Sequence, residues 1–458
     1  MVQPTAATFV LHECDNSHNP SEDRISELHD EILVTILSRL TIEEAARTSV
    51  LSHRWEHLWT SITVLNFDVS NFDVSGILSE NTWLGKRVLE IKRSRYVCWV
   101  NQVLKSHLGP TIEEFRIVFD LTDGCDIDSW IKFAIEKNVQ RLELDLLVFH
   151  GRRCQMQQWY TFPTQCLGFA SFKSLTALQL KNVKVTEEVF NYFLSNCPFL
   201  EQFCVIHSSD LVNIKVAGPS LKLKYLEISH CARLESIEIS AKDLVSFKYD
   251  GKKIRMEFKN VPCLVEVLFG LPFSDLIIHN FSEFYGWLSH LKTLKLALAP
   301  ERYQKEFPPK FPVLQNLKHL ELKIYSCGRK SLLPFMSLIK ACPFLYSFTL
   351  EAFWSLDFSI VRELEATEKC PHKCLKVVEF VGFVGIPVEI KAAMYLIENA
   401  VSLEKIIINP SLRMKGKPFD FEGRELLATD FVWRQQLSRE HARQLGTKLH
   451  PGTKLVIL

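Results

Sequence analysis

One short phrase recurs along most of this 458-residue chain. It is an apolar residue, two further residues, a second apolar residue, one residue and a third apolar residue. Its thirteen copies begin at Ile112, Val139, Leu175, Leu200, Leu223, Leu234, Leu244, Leu264, Leu291, Leu317, Leu345, Leu375 and Leu403. The last two apolar positions alternate as a half-buried strand requires, and the first lies in the turn that leads in. Each copy therefore predicts one short β-strand.

The spacing of the copies indicates how the strands are connected. Most intervals are 20–30 residues, the period of a leucine-rich-repeat solenoid with one strand and one helix or irregular arm per turn. Residues 185–203 show the whole unit, in which Pro198 ends a helix before the next strand. Such a unit cannot bury its apolar face alone, so stacked units share one core and leave a long strand surface that suits protein recognition.

Two intervals are too short for this unit. Leu234 follows Leu223 by 11 residues, and Leu244 follows Leu234 by 10. No helix fits into so few residues, so this part predicts successive short strands joined by tight turns. The expected fold class is α/β: a solenoid with a local β-helix-like patch, preceded by a helical segment and followed by an α/β cap.

Residues 23–59 differ from the repeats and predict three short helices. The first carries a broad apolar stripe that ends at Leu40. The second follows a capping box formed by Thr41 and Glu44, and Ser52 is positioned to cap the third. So short a segment cannot bury all of its large apolar side chains. Spacing alone leaves two explanations open: the surplus packs on the rest of this chain, or it binds another protein.

The run LHDEILVTILSRLTIEEAARTSVLSHRWEHLW resembles the plant F-box. F-box helices bind the Skp-type adaptor of a cullin-based ubiquitin ligase, so the resemblance implies that adaptor and, through it, a cullin as partners. The adaptor contacts that it implies are Leu28, Ile32, Leu33, Ile36, Leu40, Val50, Leu51, Trp55, Leu58 and Trp59. The family usually has proline where this chain has His29. Proline there preorganises the first helical turn, so its absence implies weaker docking at most.

The C-terminal part reads strand, helix, strand from about Cys370, with a further helix near 424–445 and a last strand in the closing KLVIL. Ile390, Ala393, Met394 and Ile397 form the apolar stripe of the first of these helices. This part resembles the FBD region of plant F-box proteins with leucine-rich repeats. Its expected physical role is a cap on the open end of the solenoid.

Composition argues against several functions. A net charge of +1 and a pI near 7.6 give no electrostatic case for nucleic acid or an anionic membrane. No secretory signal and no apolar run of about 20 residues is present. Thirteen scattered cysteines suit a reducing compartment. The expected location is therefore intracellular, in the nucleus, the cytoplasm or both.

Catalytic motifs are missing from the sequence: it has no Walker loop, no Gly-x-Ser-x-Gly and no HExxH. The run from Cys370 to Cys374 has zinc-ligand residue types, but it is one isolated group and favours a structural turn. No catalytic residue, cofactor or metal is predicted.

The expected organisation is a flexible leader (1–22), an F-box (23–67), a linker with the first solenoid elements (68–110), the solenoid (111–369) and an FBD-like cap (370–458). Within the linker, residues 83–108 predict a helix. The function that this combination predicts is non-catalytic: a substrate-recognition subunit of a Skp–cullin–F-box ubiquitin ligase, whose solenoid holds an unknown protein target. The alternative is a repeat scaffold that binds proteins without ubiquitin transfer.

Overall fold

A computed structural model defines the fold. The residues that it describes are 25, 27–68, 83–121, 124–146, 159–164, 172–218, 220–299, 308, 310–326, 332, 335–354, 371–410 and 428–458. The predicted leader, 1–22, lies outside them.

The N-terminal unit consists of short helical pieces. Its elements are α1 (Asp30–Leu37), α2 (Ile42–Arg47) and the 3₁₀ turns Thr48–Val50 and Leu58–Ser61. The predicted capping box is confirmed, because Thr41 Oγ1 accepts from the Glu44 amide at 3.2 Å and the Glu44 carboxylate accepts from the Thr41 amide at 3.0 Å. The predicted α-helix that begins at Ser52 is wrong: residues 51–57 form turns. The pattern located the apolar positions there correctly, but both Trp55 and Leu58 reach the core without a continuous helix between them.

Fourteen parallel strands form the main sheet. In spatial order they are β1 (Val64–Asp68), β2 (Glu114–Val118), β3 (Arg141–Asp145), β4 (Ala177–Lys181), β5 (Gln202–Ile206), β7 (Tyr225–Ser229), β9 (Ser246–Asp250), β11 (Glu266–Phe269), β12 (Thr293–Leu298), β13 (His319–Ser326), β14 (Ser347–Trp354), β15 (Val377–Val381), β16 (Lys405–Asn409) and β17 (Lys454–Ile457). The strands follow chain order across the whole sheet, apart from three that belong to a second sheet, as a solenoid requires.

All thirteen strands predicted from the phrase are present, and each begins two residues after the first apolar residue of its phrase, called the lead position below. The predicted strand in the closing KLVIL is also present as β17. Sequence reasoning missed β1, although Ile62 leads a regular copy of the phrase there.

The predicted β-helix-like patch is confirmed. The second sheet contains β6 (Asn213–Ala217), β8 (Ser236–Ser240) and β10 (Arg255–Phe258), in the order β10-β8-β6. Chain order alternates between the two sheets from β5 to β11, so a second layer of strands takes the place of helices. Leu211 begins a further copy of the phrase, which was overlooked and which precedes β6. Before β10 the first apolar position of the phrase is occupied by Lys253.

Helices supply the other layer elsewhere. They are α3 (Trp83–Ser106), α4 (Gly124–Glu136), α5 (Glu187–Asn196), α6 (Phe273–His279), α7 (Phe281–Leu288), α8 (Met336–Lys340), α9 (Pro387–Asn399) and α10 (Ala428–Gly446). The helix predicted at 83–108 is confirmed, and α5 ends directly before Cys197-Pro198 as expected. The predicted stripe of α9 packs on the core, with Ala393 and Ile397 buried.

One apolar core runs between these layers from the N-terminal unit to the last strands. The inward side chains of every strand enter it, including Phe115, Phe203 and Phe348. The C-terminal part adds β15, β16 and β17 to the same sheet and covers its core side with α9 and α10.

Candidate docking surface

The ten residues implied as adaptor contacts divide into two groups in the structure. Five are exposed: Ile32 (46%), Ile36 (44%), Leu40 (40%), Val50 (85%) and Leu51 (65%). Three are buried, namely Leu33, Trp55 and Leu58, while Leu28 and Trp59 are half-buried. The exposed five are called the docking surface below.

Helix α1 places apolar residues on both of its sides. Ile32 and Ile36 are four residues apart and lie on one exposed face. Leu33 and Leu37 are also four residues apart, but they are almost fully buried. The broad stripe read from the sequence is therefore split by the fold. One part packs inward, and the other remains available to a partner.

The segment that carries Val50 and Leu51 is tied to the start of α1. Arg54 forms an ion pair with Asp30 at 2.7 Å and also donates to the carbonyl of Leu28. An exposed pair such as this contributes less than about 1 kcal/mol. It nevertheless indicates that the turn after α2 lies beside α1, so both parts of the docking surface belong to one compact unit.

The buried group joins this unit to the solenoid. Leu33, Trp55 and Leu58 belong to the same core as β1 and β2. Ser38 Oγ accepts a hydrogen bond from the Thr63 amide at 2.9 Å, which fixes the end of α1 to the residue before β1. The first explanation that spacing left open, packing on the rest of this chain, thus holds for the buried group, whereas the five residues of the docking surface stay exposed.

His29 stands directly before α1 with φ −61° and ψ 147°. Its side chain makes no capping hydrogen bond. The φ value is close to the angle that a proline ring imposes. The backbone here consequently has the conformation that proline would preorganise, although the residue is histidine.

The side chains that point away from the core at alternate strand positions form the open face of the main sheet. Two neighbouring rows across this face hold eight carboxylates and five cations among the described strands. The carboxylates are Asp68, Glu143, Asp145, Glu227, Asp250, Glu321, Glu351 and Glu379, and the cations are Arg116, Lys181, Lys248, Lys295 and Lys323. These two rows are therefore acidic, although the whole chain carries +1.

Ion pairs between neighbouring strands neutralise part of this charge. Arg116 bridges Asp68 at 2.5 Å and Glu143 at 2.9 Å, and Lys181 also contacts Glu143 at 2.6 Å. Such half-buried networks hold long side chains in place more effectively than isolated surface pairs do. The open face thus presents a fixed pattern of charge.

The described part of the run with zinc-ligand residue types, 371–374, belongs to the turn before β15. His372 is buried; its Nε2 donates to the Cys342 carbonyl at 2.8 Å, and its Nδ1 accepts from the amide of Leu375 at 3.0 Å. Both ring nitrogens are thereby used in the turn before β15. Cys370 lies outside the described residues. In the described part of the chain, no group of three His, Cys, Asp or Glu side chains is placed to hold a metal ion.

The described cysteines are all free thiols. Burial raises the pKa of Cys197, Cys204 and Cys342 to about 12, which keeps them protonated at neutral pH. Protonated thiols are poor nucleophiles.

None of the described helices combines the length and apolarity needed for a membrane span.

The comparisons with known proteins agree with this architecture. A family model described as "At1g61320/AtMIF1, LRR domain" matches residues 162–417, more than half of the chain, and an F-box domain model matches residues 25–66. The protein therefore belongs to the leucine-rich-repeat F-box proteins of plants, whose two kinds of domain are protein-interaction modules.

Relatives in Arabidopsis thaliana align with more than half of this chain. The F-box/FBD/LRR-repeat protein At5g22660 is 25% identical over 424 residues, which cover 84% of this chain and 89% of the relative. The FBD-associated F-box protein At4g10400 is 26% identical, with 86% and 94% covered. The F-box/LRR-repeat protein At3g26922 is 29% identical over 62% of this chain and 93% of its own.

Proposed function

We propose that this protein is a substrate-recognition subunit of a Skp–cullin–F-box ubiquitin ligase, acting in the nucleus or cytoplasm. The docking surface binds a Skp-type adaptor, and through it a cullin. The single observation that supports this most directly is the division of α1. Ile32 and Ile36 stay exposed on an N-terminal unit whose opposite side is fused to the solenoid core. Large exposed aliphatic groups in one small unit are typical of a protein interface.

In this function the protein itself makes and breaks no bond. The shared core joins the docking surface to the sheet, so a target held on the open face stays at a defined position relative to the adaptor. Ubiquitin transfer then gains from proximity, because an encounter between separate molecules becomes nearly intramolecular.

The test is copurification of the full chain with a plant Skp-type adaptor, comparing variants that leave the core intact. Ile36→Asp and Val50→Asp each place a charge on the docking surface. Each should weaken the complex by about 2 kcal/mol, close to 30-fold, as removal of an interface anchor does. Leu33→Asp is unsuitable, because its charge would be buried and would unfold the unit.

Val401→Asp is the matched control, since Val401 is 63% exposed and lies in the turn before β16, far along the chain from α1. This variant should bind the adaptor as the parent does. Failure of the intact chain to form the complex would overturn the proposal and favour a repeat scaffold without ubiquitin transfer. Equal losses at Ile36 and Val401 would also overturn it.

A further inference from the structure

The open face has a break in one of its charged rows. Gly270 directly follows β11, and the register extended by one residue places it between Asp250 and Ala297; Ala297 pairs with Lys323. The two central residues have little or no side chain. Four strands span about 14 Å at the usual spacing of about 4.8 Å. The row therefore has no long side chain between Asp250 and Lys323; Gly270 is buried and Ala297 is 9% exposed. This part of the row is called the notch below.

Asp250 leans into the notch from one side. A Cβ atom at Gly270 would collide with the carboxyl group of Asp250, so the carboxylate occupies the place where a larger residue would have its side chain. The side chain of Asp250 is still 29% exposed. Glycine at position 270 thus sets both the position and the accessibility of this carboxylate.

An aromatic pair forms the other side. Tyr325 and Phe353 are in-register neighbours on β13 and β14, and their rings stack at 4.7 Å with 10° between the planes. The opposite face of the Tyr325 ring lies on the side of β12, where Ala299, the residue after this strand, continues the register and is buried. Burial raises the pKa of Tyr325, and the charge of Asp250 is the next cause. Both side chains lie on the open face, Asp250 on β9 and Tyr325 on β13, with β11 and β12 between them.

The two lysines that act on Asp250 each contact another carboxylate. Lys323 contacts Glu351 at 2.8 Å, and Lys248 contacts Glu227 at 2.7 Å. The ion-pair contact of Asp250 is with His230 Nε2 at 3.7 Å, which is longer than a hydrogen bond and is ionic only when the imidazole is protonated. Asp250 consequently keeps capacity for a charge-assisted hydrogen bond to an incoming donor.

We infer that the notch binds the guanidinium group of an arginine in the target protein, between the carboxylate of Asp250 and the ring of Tyr325. A planar guanidinium donates two parallel hydrogen bonds to a carboxylate and stacks on an aromatic face, whereas an ammonium group does neither as well. The two acidic rows of the open face attract a basic segment. This inference rests on the proposed function, since it assigns the chemistry of the segment that the open face holds.

The probe is N-acetyl-arginine amide, added to the full chain labelled with ¹³C in its tyrosine rings. The ring signal of Tyr325, assigned by its loss in Tyr325→Phe, should shift saturably. N-acetyl-citrulline amide has the same shape without the charge and should bind at least about tenfold more weakly, because a hydrogen bond to a charged group contributes about 1.5–3 kcal/mol. Equal binding of the two compounds would overturn the inference.

Two substitutions locate the site. Asp250→Asn keeps the shape of the side chain and should abolish the difference between arginine and citrulline. Gly270→Ala should weaken arginine binding by displacing the carboxylate. Glu257→Gln is the control, because Glu257 is exposed on β10 of the second sheet, and it should bind as the parent does. Full binding by Asp250→Asn would contradict the inference.

Adaptor copurification of the same Asp250→Asn protein separates the two proposals. The notch assignment fails, while the ligase proposal stands, if the adaptor binds the protein but the parent does not bind the arginine probe. If the probe binds as expected and the adaptor does not, the ligase proposal fails, and the notch is a site on a repeat scaffold.

Discussion

The imidazole rings of His207 and His230 stack on each other at 4.6 Å with 19° between their planes. Both residues have φ 56° and follow directly after a strand, β5 and β7 respectively. Asn182 holds the equivalent corner after β4 with φ 58°. Parallel register between strands of the sheet therefore brings together two titratable rings that are far apart in the sequence, next to Asp250.

This stack predicts a stability that declines in acid. Burial lowers the pKa of His207, and the neighbouring His230 lowers it further. A histidine whose folded pKa lies below its unfolded value destabilises the folded state as the pH falls through about 6.5, because the unfolded chain takes up the proton more readily. His207→Asn removes this effect and suits the backbone, since asparagine tolerates positive φ. Its melting temperature relative to the parent should be higher at pH 5.5 than at pH 7.5.

His57→Asn serves as the control for that measurement, because the side chain of His57 is 76% exposed in the N-terminal unit. Its difference from the parent should be the same at both pH values. Identical behaviour of the two variants would show that the stack has no part in acid sensitivity.

Introducing proline at position 29 should stabilise the protein. The φ of His29 fits proline, and no backbone hydrogen bond among the described residues uses the His29 amide. His29→Pro should therefore add about 0.4–1 kcal/mol to the free energy of unfolding by restricting the unfolded chain. Adaptor binding should stay equal or become stronger. Chemical denaturation and adaptor titration measure the two effects, and a loss in either would mean that the imidazole itself contributes.

The division of α1 predicts that neighbouring residues respond in opposite ways. Leu33→Ala removes a fully buried side chain and should cost about 2–5 kcal/mol of unfolding free energy. Ile32→Ala removes an exposed one and should change stability by no more than about 0.5 kcal/mol, while weakening adaptor binding. Urea denaturation of the two variants makes the comparison. Similar losses of stability would show that both sides of α1 are packed.

The strands were predictable because their signal is local. A first apolar residue followed by two alternating apolar residues sufficed for thirteen of them, and the same phrase stands at Ile62 and Leu211 before two of the three that were overlooked. Lys253 and Gly452 take the lead position before β10 and β17, so those strands carry a weaker pattern.

Properties that depend on which strands become neighbours were not predictable. Leu33 and Ile36 are equivalent in an apolar stripe, and only packing on the 3₁₀ turn Leu58–Ser61 and on the shared core decides that one is buried and the other exposed. The notch depends on Gly270 and Ala297, which are 27 positions apart in the sequence. Strand register alone makes them adjacent.

Two glycines near the C-terminus allow backbone strain to be separated from packing. Gly385 and Gly452 have φ of 85° and 98°, so alanine at either site should cost about 1–3 kcal/mol in strain. A Cβ atom at Gly385 would also collide with His441 of α10, whereas a Cβ atom at Gly452 would have no atom of the described residues within 4 Å. Gly385→Ala should therefore destabilise more than Gly452→Ala does.

The extra loss should be local to α10. His441 Nδ1 lies 3.2 Å from the Val384 carbonyl, so displacing the imidazole removes the contact between α10 and the turn before α9. Hydrogen exchange should show faster exchange in 435–446 for Gly385→Ala but not for Gly452→Ala. If both variants lose the same stability and α10 remains protected, then His441 does not hold this helix against the last strands of the solenoid.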